Sequence, residues 1–464
     1  MSGPLGPGHT EPARIPTKLD ELLGFCAKCS CGKTHQSPLS HAEIAPGALE
    51  RIVDTVHGIG RNLTILVVVD RITRTIAGEK TQQLLGKDGH HVGLLTLPDS
   101  SDGRPHADEP SLSLVHTAMN GVDLAVAVGS GTVNDLTKLT SFRLGIPYIA
   151  VATAPSMNGY TSAIAAILVN GVKRTVDCHQ PFAVIADIDL LKAAPHHLIA
   201  AGLGDLESKP TATADFRLSG LLRNSYYCSA PEKVVLDAEK RAAENAAGLR
   251  TREVESVQAL TEALILSGIS MTLAGSSSPA SGGEHLISHF LDMTCERDGR
   301  VEGWHGAQVG VATLITAALY EHLRSRSPND IDIERIIADR TPREAPYSEI
   351  RRIHGPFADE VIAEHNAKYL APDDLTKELS AIQENWSSIW RNLDEVLRSP
   401  SRIKRILKAA GAPTTASELG LEMIHLERAF AHARFIRRRF TVLDFADDLG
   451  VFEALAPIIL TSLS

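Results

Sequence analysis

Hydrophobic and polar positions change their period once along this chain, near Pro195. Before it, short apolar runs alternate with helical stretches. N-L-T-I-L-V-V-V-D is β-branched and apolar without a break, which predicts a strand buried on both faces and ending at Asp70. The runs H-V-G-L-L-T-L, D-L-A-V-A-V, I-P-Y-I-A-V-A-T and P-F-A-V-I-A-D read as further strands, with helices expected through Glu79 to Leu85 and around Leu112 to Met119. Such alternation predicts a parallel sheet with helical crossovers. After Pro195, segments such as E-S-V-Q-A-L-T-E-A-L-I-L-S-G-I-S-M carry apolar residues at i, i+3 and i+4, so the second half is expected to be helical. Residues 1–45 read as a tail and a cysteine-containing extension, 46–194 as a nucleotide-binding α/β domain and 195–464 as a helical domain.

A chain of 464 residues is long enough for two cores, and 43% hydrophobic with 22% charged residues is the composition of a globular protein. The net charge of -10 argues against attraction to nucleic acid or to an anionic membrane, so an anionic substrate needs a local basic patch. No apolar run appears long enough to cross a bilayer and the N-terminus lacks a signal-peptide core, so the expected compartment is the cytoplasm. The six cysteines make no disulfide framework. Cys26, Cys29 and Cys31 with His35 form C-x-x-C-x-C-x-x-x-H, a candidate zinc loop. Reduced, partly packed cysteines are the plainer reading of it.

Candidate chemistry clusters in three places. The strand D-L-A-V-A-V runs into G-S-G-T-V-N-D, where glycines would admit a diphosphate to the N-terminus of the next helix. Asp70 is placed to bind an adenosine ribose or, equally, to cap a helix. Thr153, Ser156 and Ser162 crowd the point where T-A-P-S-M-N-G-Y-T-S leaves the sheet. Finally, A-G-L-G-D-L-E-S-K, G-E-H-L-I-S-H and G-W-H-G supply Asp205, His285, His289 and His305, and the two histidines four apart share one helix face. Arg437, Arg438 and Arg439 read as a solvated helix face in preference to a phosphate site.

In order along the chain, these blocks together with I-R-R-R-F-T-V-L-D-F-A resemble the glycerol-1-phosphate dehydrogenase family, bacterial branch, of the metal-dependent alcohol dehydrogenase and dehydroquinate synthase superfamily. The resemblance implies a Rossmann-like N-terminal domain with a parallel sheet, an all-α C-terminal domain and an active site in the cleft between them. It implies that Asp205, His285 and His305 bind one divalent metal (zinc, nickel or iron), and that NAD or NADP is held by Asp70, Gly129, Ser130, Gly131, Thr132, Val133, Asp135, Thr153, Ser156 and Ser162. His289, Asn158 and Lys209 become the catalytic candidates. The implied reaction is reversible reduction of dihydroxyacetone phosphate to sn-glycerol 1-phosphate, and the helix-rich half could support a homodimer.

Two positions depart from the family pattern. Asn158 replaces the aspartate of S-x-D-G, exchanging a charged acceptor for an amide that also donates. Pro210 stands where an aromatic residue is expected. Asn158 keeps a different phosphorylated or phosphonate ketone open as substrate, and a non-catalytic binding protein as the reading from another class. A dehydroquinate-synthase-like cyclase is disfavoured by Asp205, because that group supplies a glutamate there. Net change in cofactor absorbance would separate a dehydrogenase from both.

Overall fold

The computed structural model describes residues 15–169 and 172–463. Its centre is a six-stranded sheet of β1 (His41–Ala45), β2 (Thr64–Val69), β3 (His91–Thr96), β4 (Leu124–Gly129), β5 (Tyr148–Ala152) and β6 (Ala183–Asp187). All neighbours pair in parallel, in the order β1-β6-β5-β4-β2-β3. The edge strand β1 lies within the stretch read as the N-terminal extension. Chain order reverses between β2 and β4, so their C-terminal ends flank the crevice where open α/β sheets bind ligands.

The continuous apolar runs are explained by two covered faces. Ile65, Val67, Val126, Val128 and Ile185 pack on Ile52, Val56 and Leu85, whereas Leu66, Val68, Ala125 and Ala127 face the other way. The helix covering that second face from the strand-to-helix turn is α1 (Gly131–Leu144), which contributes Leu136 and Leu139.

The helical half contains α2 (His196–Glu207), α3 (Lys209–Arg223), α4 (Val254–Ala274), α5 (Gly283–Thr294) and α6 (His305–Arg324). By length and composition α4 could cross a membrane, which corrects the expectation that no such run exists. Its Leu260, Leu264, Ile265 and Ile269 are instead buried in the core that includes the sheet. Pro210, the departure from the family pattern, occupies the first turn of α3, where a missing N–H leaves no backbone acceptor without its donor.

Helices α2 and α6 approach until their backbones touch. A Cβ on Gly204 would lie 2.2 Å from the Gly306 carbonyl oxygen, and one on Gly306 would lie 2.0 Å from that of Ala201. Gly202 makes the same close approach to the Pro155 carbonyl, at 1.8 Å. These glycines seat α2 between the loop after β5 and the start of α6. Asp205 thereby lies against the first turn of α6, which His305 opens.

An antiparallel hairpin, Ile164–Val169 with Val172–Asp177, joins the halves. Lys173 on it pairs with Asp292 of α5 at 2.7 Å and with Glu302 at 3.1 Å, and Arg437 donates to the Lys173 carbonyl at 2.7 Å.

Candidate active site

Three helix termini or first turns deliver the polar residues of the cleft: the end of α2, the beginning of α5 and the beginning of α6. Asp205 is fully buried, with Oδ1 3.5 Å from His285 Nε2. Lys209, also fully buried, donates to that Oδ1 at 2.7 Å and to the Ala280 carbonyl at 2.9 Å. Burial works against a charge on Asp205. The Lys209 ammonium and the two imidazoles outweigh it and hold the carboxyl far below the usual carboxylate range.

The ring centroids of His285 and His305 are 5.3 Å apart, and His289 stacks on His305 at 5.6 Å. Each ligand candidate has its Nδ1 side engaged. His285 Nδ1 donates to Glu284 Oε1 at 2.8 Å. His305 Nδ1 lies 3.2 Å from Ser288 Oγ, whose own hydroxyl donates to Gln308 Oε1 at 2.8 Å, so the hydroxyl accepts from the ring. Both arrangements fix the tautomer that leaves Nε2 free as a donor atom, the usual support for a metal-binding imidazole. Burial, reinforced by the neighbouring His285, pulls His305 down to about 3, so the ring is neutral and its lone pair available at physiological pH. Two imidazole nitrogens with a carboxylate are a donor set that suits a divalent cation.

Asn158 lies against the same carboxylate. Its backbone N–H donates to Asp205 Oδ2 at 3.1 Å, and its amide donates to Ser267 Oγ at 3.2 Å and reaches Asp205 Oδ1 at 3.5 Å. Lys209 donates to Asp205, the Ser208 hydroxyl and the Ala280 carbonyl, so any part it plays is exerted through that carboxylate.

On the sheet side, Gly129 ends β4 with its missing Cβ 2.5 Å from Val133, a space no side chain can enter, whereas the space beside Gly131 is open apart from Met157. Ser130 stands at the N-cap of α1 without a side-chain cap bond; its hydroxyl pairs with Ser156 at 2.6 Å. The first N–H groups of α1 therefore point into the crevice unmet by a cap, as an anion cradle requires. Thr153 lies beside them at the end of β5, its N–H bonded to the Gly129 carbonyl, and Thr132 and Val133 are in the first turn of α1. Asp70 is a helix cap: Oδ1 accepts from the N–H of Ile72 at 2.8 Å and of Thr73 at 2.7 Å. Asp135 and Ser162 both bond the buried Lys138, which also donates to the carbonyls of Gly159 and Ile164. That network fixes the 154–162 loop.

The arginine cluster is not a helix face. Residues 437–440 follow a short 3₁₀ turn, Ala433–Ile436, and only Arg438 is exposed. Arg439 binds the Ser281 hydroxyl at 2.9 Å, the Ser281 carbonyl, and the Ser277 hydroxyl at 2.7 Å. With Arg437, Lys33, His289 and Ser278 it lines a cavity of about 1010 Å³. Glu284, Ser288 and Gln308, unread in the sequence, adjoin the ligand candidates in G-E-H, I-S-H and H-G-A-Q; Lys33 carried no local signal, and Arg439 was assigned with its neighbours to a solvated face.

The profile of the family described as iron-containing alcohol dehydrogenase matches residues 43–195. A glycerol-1-phosphate dehydrogenase [NAD(P)+] of Halalkalibacterium halodurans is 36% identical over 306 residues, 66% of this chain and 76% of that protein. One from Geobacillus stearothermophilus is 30% identical over 94% of this chain and 99% of its own length. The chain belongs to the glycerol-1-phosphate dehydrogenase family. Among solved structures, a probable glycerol dehydrogenase from Sinorhizobium meliloti superposes with a TM-score of 0.57 at 16% identity, covering 91% of this chain and 97% of that one, and shares the fold. The family's α/β-plus-helical architecture is the one built above.

Proposed function

We propose that this protein is a metal-dependent, NAD(P)-linked dehydrogenase interconverting sn-glycerol 1-phosphate and dihydroxyacetone phosphate. The observation that carries the reading is the convergence of Asp205, His285 and His305, each oriented by a second residue, beside a cavity lined by arginines. Asp205, His285 and His305 would hold the cation, and Gly129–Val133 with Thr153 and Ser156 the dinucleotide. When bound, the cation supplies Lewis acidity toward the substrate oxygen and the nicotinamide exchanges the hydride.

The remaining work belongs to the chain's own residues. Glu284 and Ser288 hold the two ligand rings in the tautomer with Nε2 free. Lys209 positions the Asp205 carboxylate and balances its buried charge. Burial and the adjacent His305 hold His289 neutral and make it a weak base, so its role is to hydrogen-bond the substrate hydroxyl and orient the proton that leaves or returns there. Arg437 and Arg439 give the substrate phosphate the basic patch that a chain of net charge -10 needs. Asp70 caps its helix through Oδ1 and meets the ribose through the other oxygen, while Asp135 and Ser162 act on the cofactor site through Lys138.

The test is oxidation of NADH and NADPH by dihydroxyacetone phosphate after reconstitution with zinc, nickel or iron. Turnover that a chelator abolishes, and that Arg437→Met impairs through KM by about 10- to 100-fold, supports the assignment. No turnover in the presence of demonstrated metal and nucleotide binding refutes this substrate. Asn158 favours a second reading, a related phosphorylated or phosphonate ketone, because its amide offers a donor where the family carries a carboxylate.

A further inference from the structure

Away from the cleft, a short antiparallel hairpin pairs Cys26–Lys28 with Thr34–Gln36. Its turn is closed by Cys29 N–H to the Lys33 carbonyl, with Gly32 at φ +87°. The turn carries Cys29, Cys31 and His35 onto Cys228, roughly two hundred residues later in the chain, at the N-cap of the helix Ser229–Glu244. All four donor atoms lie within 4.8 Å of one another. Cys26, the remaining member of the sequence cluster, is exposed on the strand and takes no part. The set of ligands expected from local spacing is therefore altered: Cys228 replaces Cys26.

We infer that Cys29, Cys31, Cys228 and His35 form a structural zinc site, separate from the catalytic cation. Zinc–sulfur and zinc–nitrogen bonds in a tetrahedral site put thiolate sulfurs about 3.8 Å apart and sulfur about 3.5 Å from nitrogen. Cys29 Sγ and Cys228 Sγ are separated by 3.8 Å, and His35 Nε2 is 3.4 Å from both Cys31 Sγ and Cys228 Sγ. The histidine is prepared for this role. Its ring is fully buried, and Nδ1 lies 2.6 Å from the Leu273 carbonyl, which can only accept, so the proton sits on Nδ1 and Nε2 faces the sulfurs with its lone pair. Three thiolates and an imidazole leave no open position, which marks the site as structural and selects zinc over oxygen-seeking cations.

The metal would staple the hairpin to Cys228 and, through His35, to the C-terminus of α4. Lys33, in the turn, donates to the Ala274 carbonyl at 3.1 Å, lies 3.5 Å over the Tyr226 ring and lines the arginine cavity. The site thus holds one wall of that cavity from behind.

The experiment measures metal content of the full chain by mass spectrometry after dialysis against a mild chelator, then the visible spectrum after cobalt exchange. The native protein, Cys26→Ser and Asp205→Asn should each keep one tightly held zinc and give the strong bands of tetrahedral cobalt thiolate. Cys228→Ser and His35→Gln should lose both. Because those two variants could fail to fold, His35→Cys serves as a gain-of-ligand control, retaining zinc with stronger thiolate charge-transfer absorption. The inference is overturned if the native protein retains no zinc, if folded Cys228→Ser retains the same amount as the native protein, or if freshly isolated protein carries a Cys29–Cys228 disulfide.

Discussion

Replacing Gly204 by alanine tests whether the backbone contact between α2 and α6 positions the proposed metal ligands. Helix propensity alone favours the change by about 0.8 to 1.0 kcal/mol. Packing opposes it. The new Cβ would stand 2.2 Å from the Gly306 carbonyl oxygen, and ordinary contact begins at 3.4 Å, so the helices must separate by about 1.2 Å. Overpacking of this kind costs about 1 to 3 kcal/mol, which exceeds the propensity gain. The larger effect falls on the site, because Asp205 is the next residue and His305 precedes Gly306. A displacement near 1 Å costs roughly 100-fold in turnover when reacting groups lose alignment. The assay compares metal affinity by titration calorimetry, kcat and the midpoint of thermal unfolding for Gly204→Ala and for Gly86→Ala. Gly86 is exposed in the helix Glu79–Lys87 with nothing within 4 Å of its would-be Cβ, so alanine there should stabilise by about 0.5 kcal/mol and leave activity unchanged. If Gly204→Ala binds metal and turns over like the native protein, the seam does not position the ligands.

Glu284→Gln keeps an acceptor near His285 Nδ1 but removes its charge, and should weaken metal affinity by about tenfold, measured by competition with a chelator of known affinity. Asn158→Asp places a second carboxylate against Asp205 and deprives Ser267 of its donor; thermal unfolding should show destabilisation of the metal-free protein that a bound divalent cation largely relieves. His354 is buried against Phe290, and burial, with Arg297 and His432 nearby, lowers it to about 4. Between that value and its unfolded value near 6.5, the unfolded chain binds a proton that the folded chain refuses. Stability from this group is thus lost as pH falls through that window, by about 1.4 kcal/mol per pH unit, and His354→Gln should flatten the urea-unfolding slope there. An unchanged slope would refute the assignment.

Much of this was legible without coordinates because the physics is local. A strand covered on both faces must be apolar at every position, so Ile65 to Val69 declared itself. Asp205, His285 and His305 each stand in a short motif that could be picked out locally, and the fold brings His285 beside both of the others. The hairpin Ile164–Asp177 carried the signal Asn170-Gly171 between two β-rich runs, which a search for parallel strands passes over. What could not be read is what tertiary structure alone assembles. Cys228 joins the cysteine cluster from another element, Arg439 turns inward because Ser277 and Ser281 meet it, and α4 looks like a membrane span until the sheet is placed against it.

The arginine cavity draws its walls from residues far apart in sequence: Lys33 comes from a hairpin, and Arg437 and Arg439 from a segment some four hundred residues later. Removing the hairpin or the 437–440 segment to obtain a minimal catalytic unit would therefore open the compartment. For redesign toward other anionic substrates, the same arrangement is an advantage. The two walls can be diversified in separate libraries, one in the hairpin and one in the 437–440 segment, while the helices carrying Asp205, His285 and His305 are left untouched.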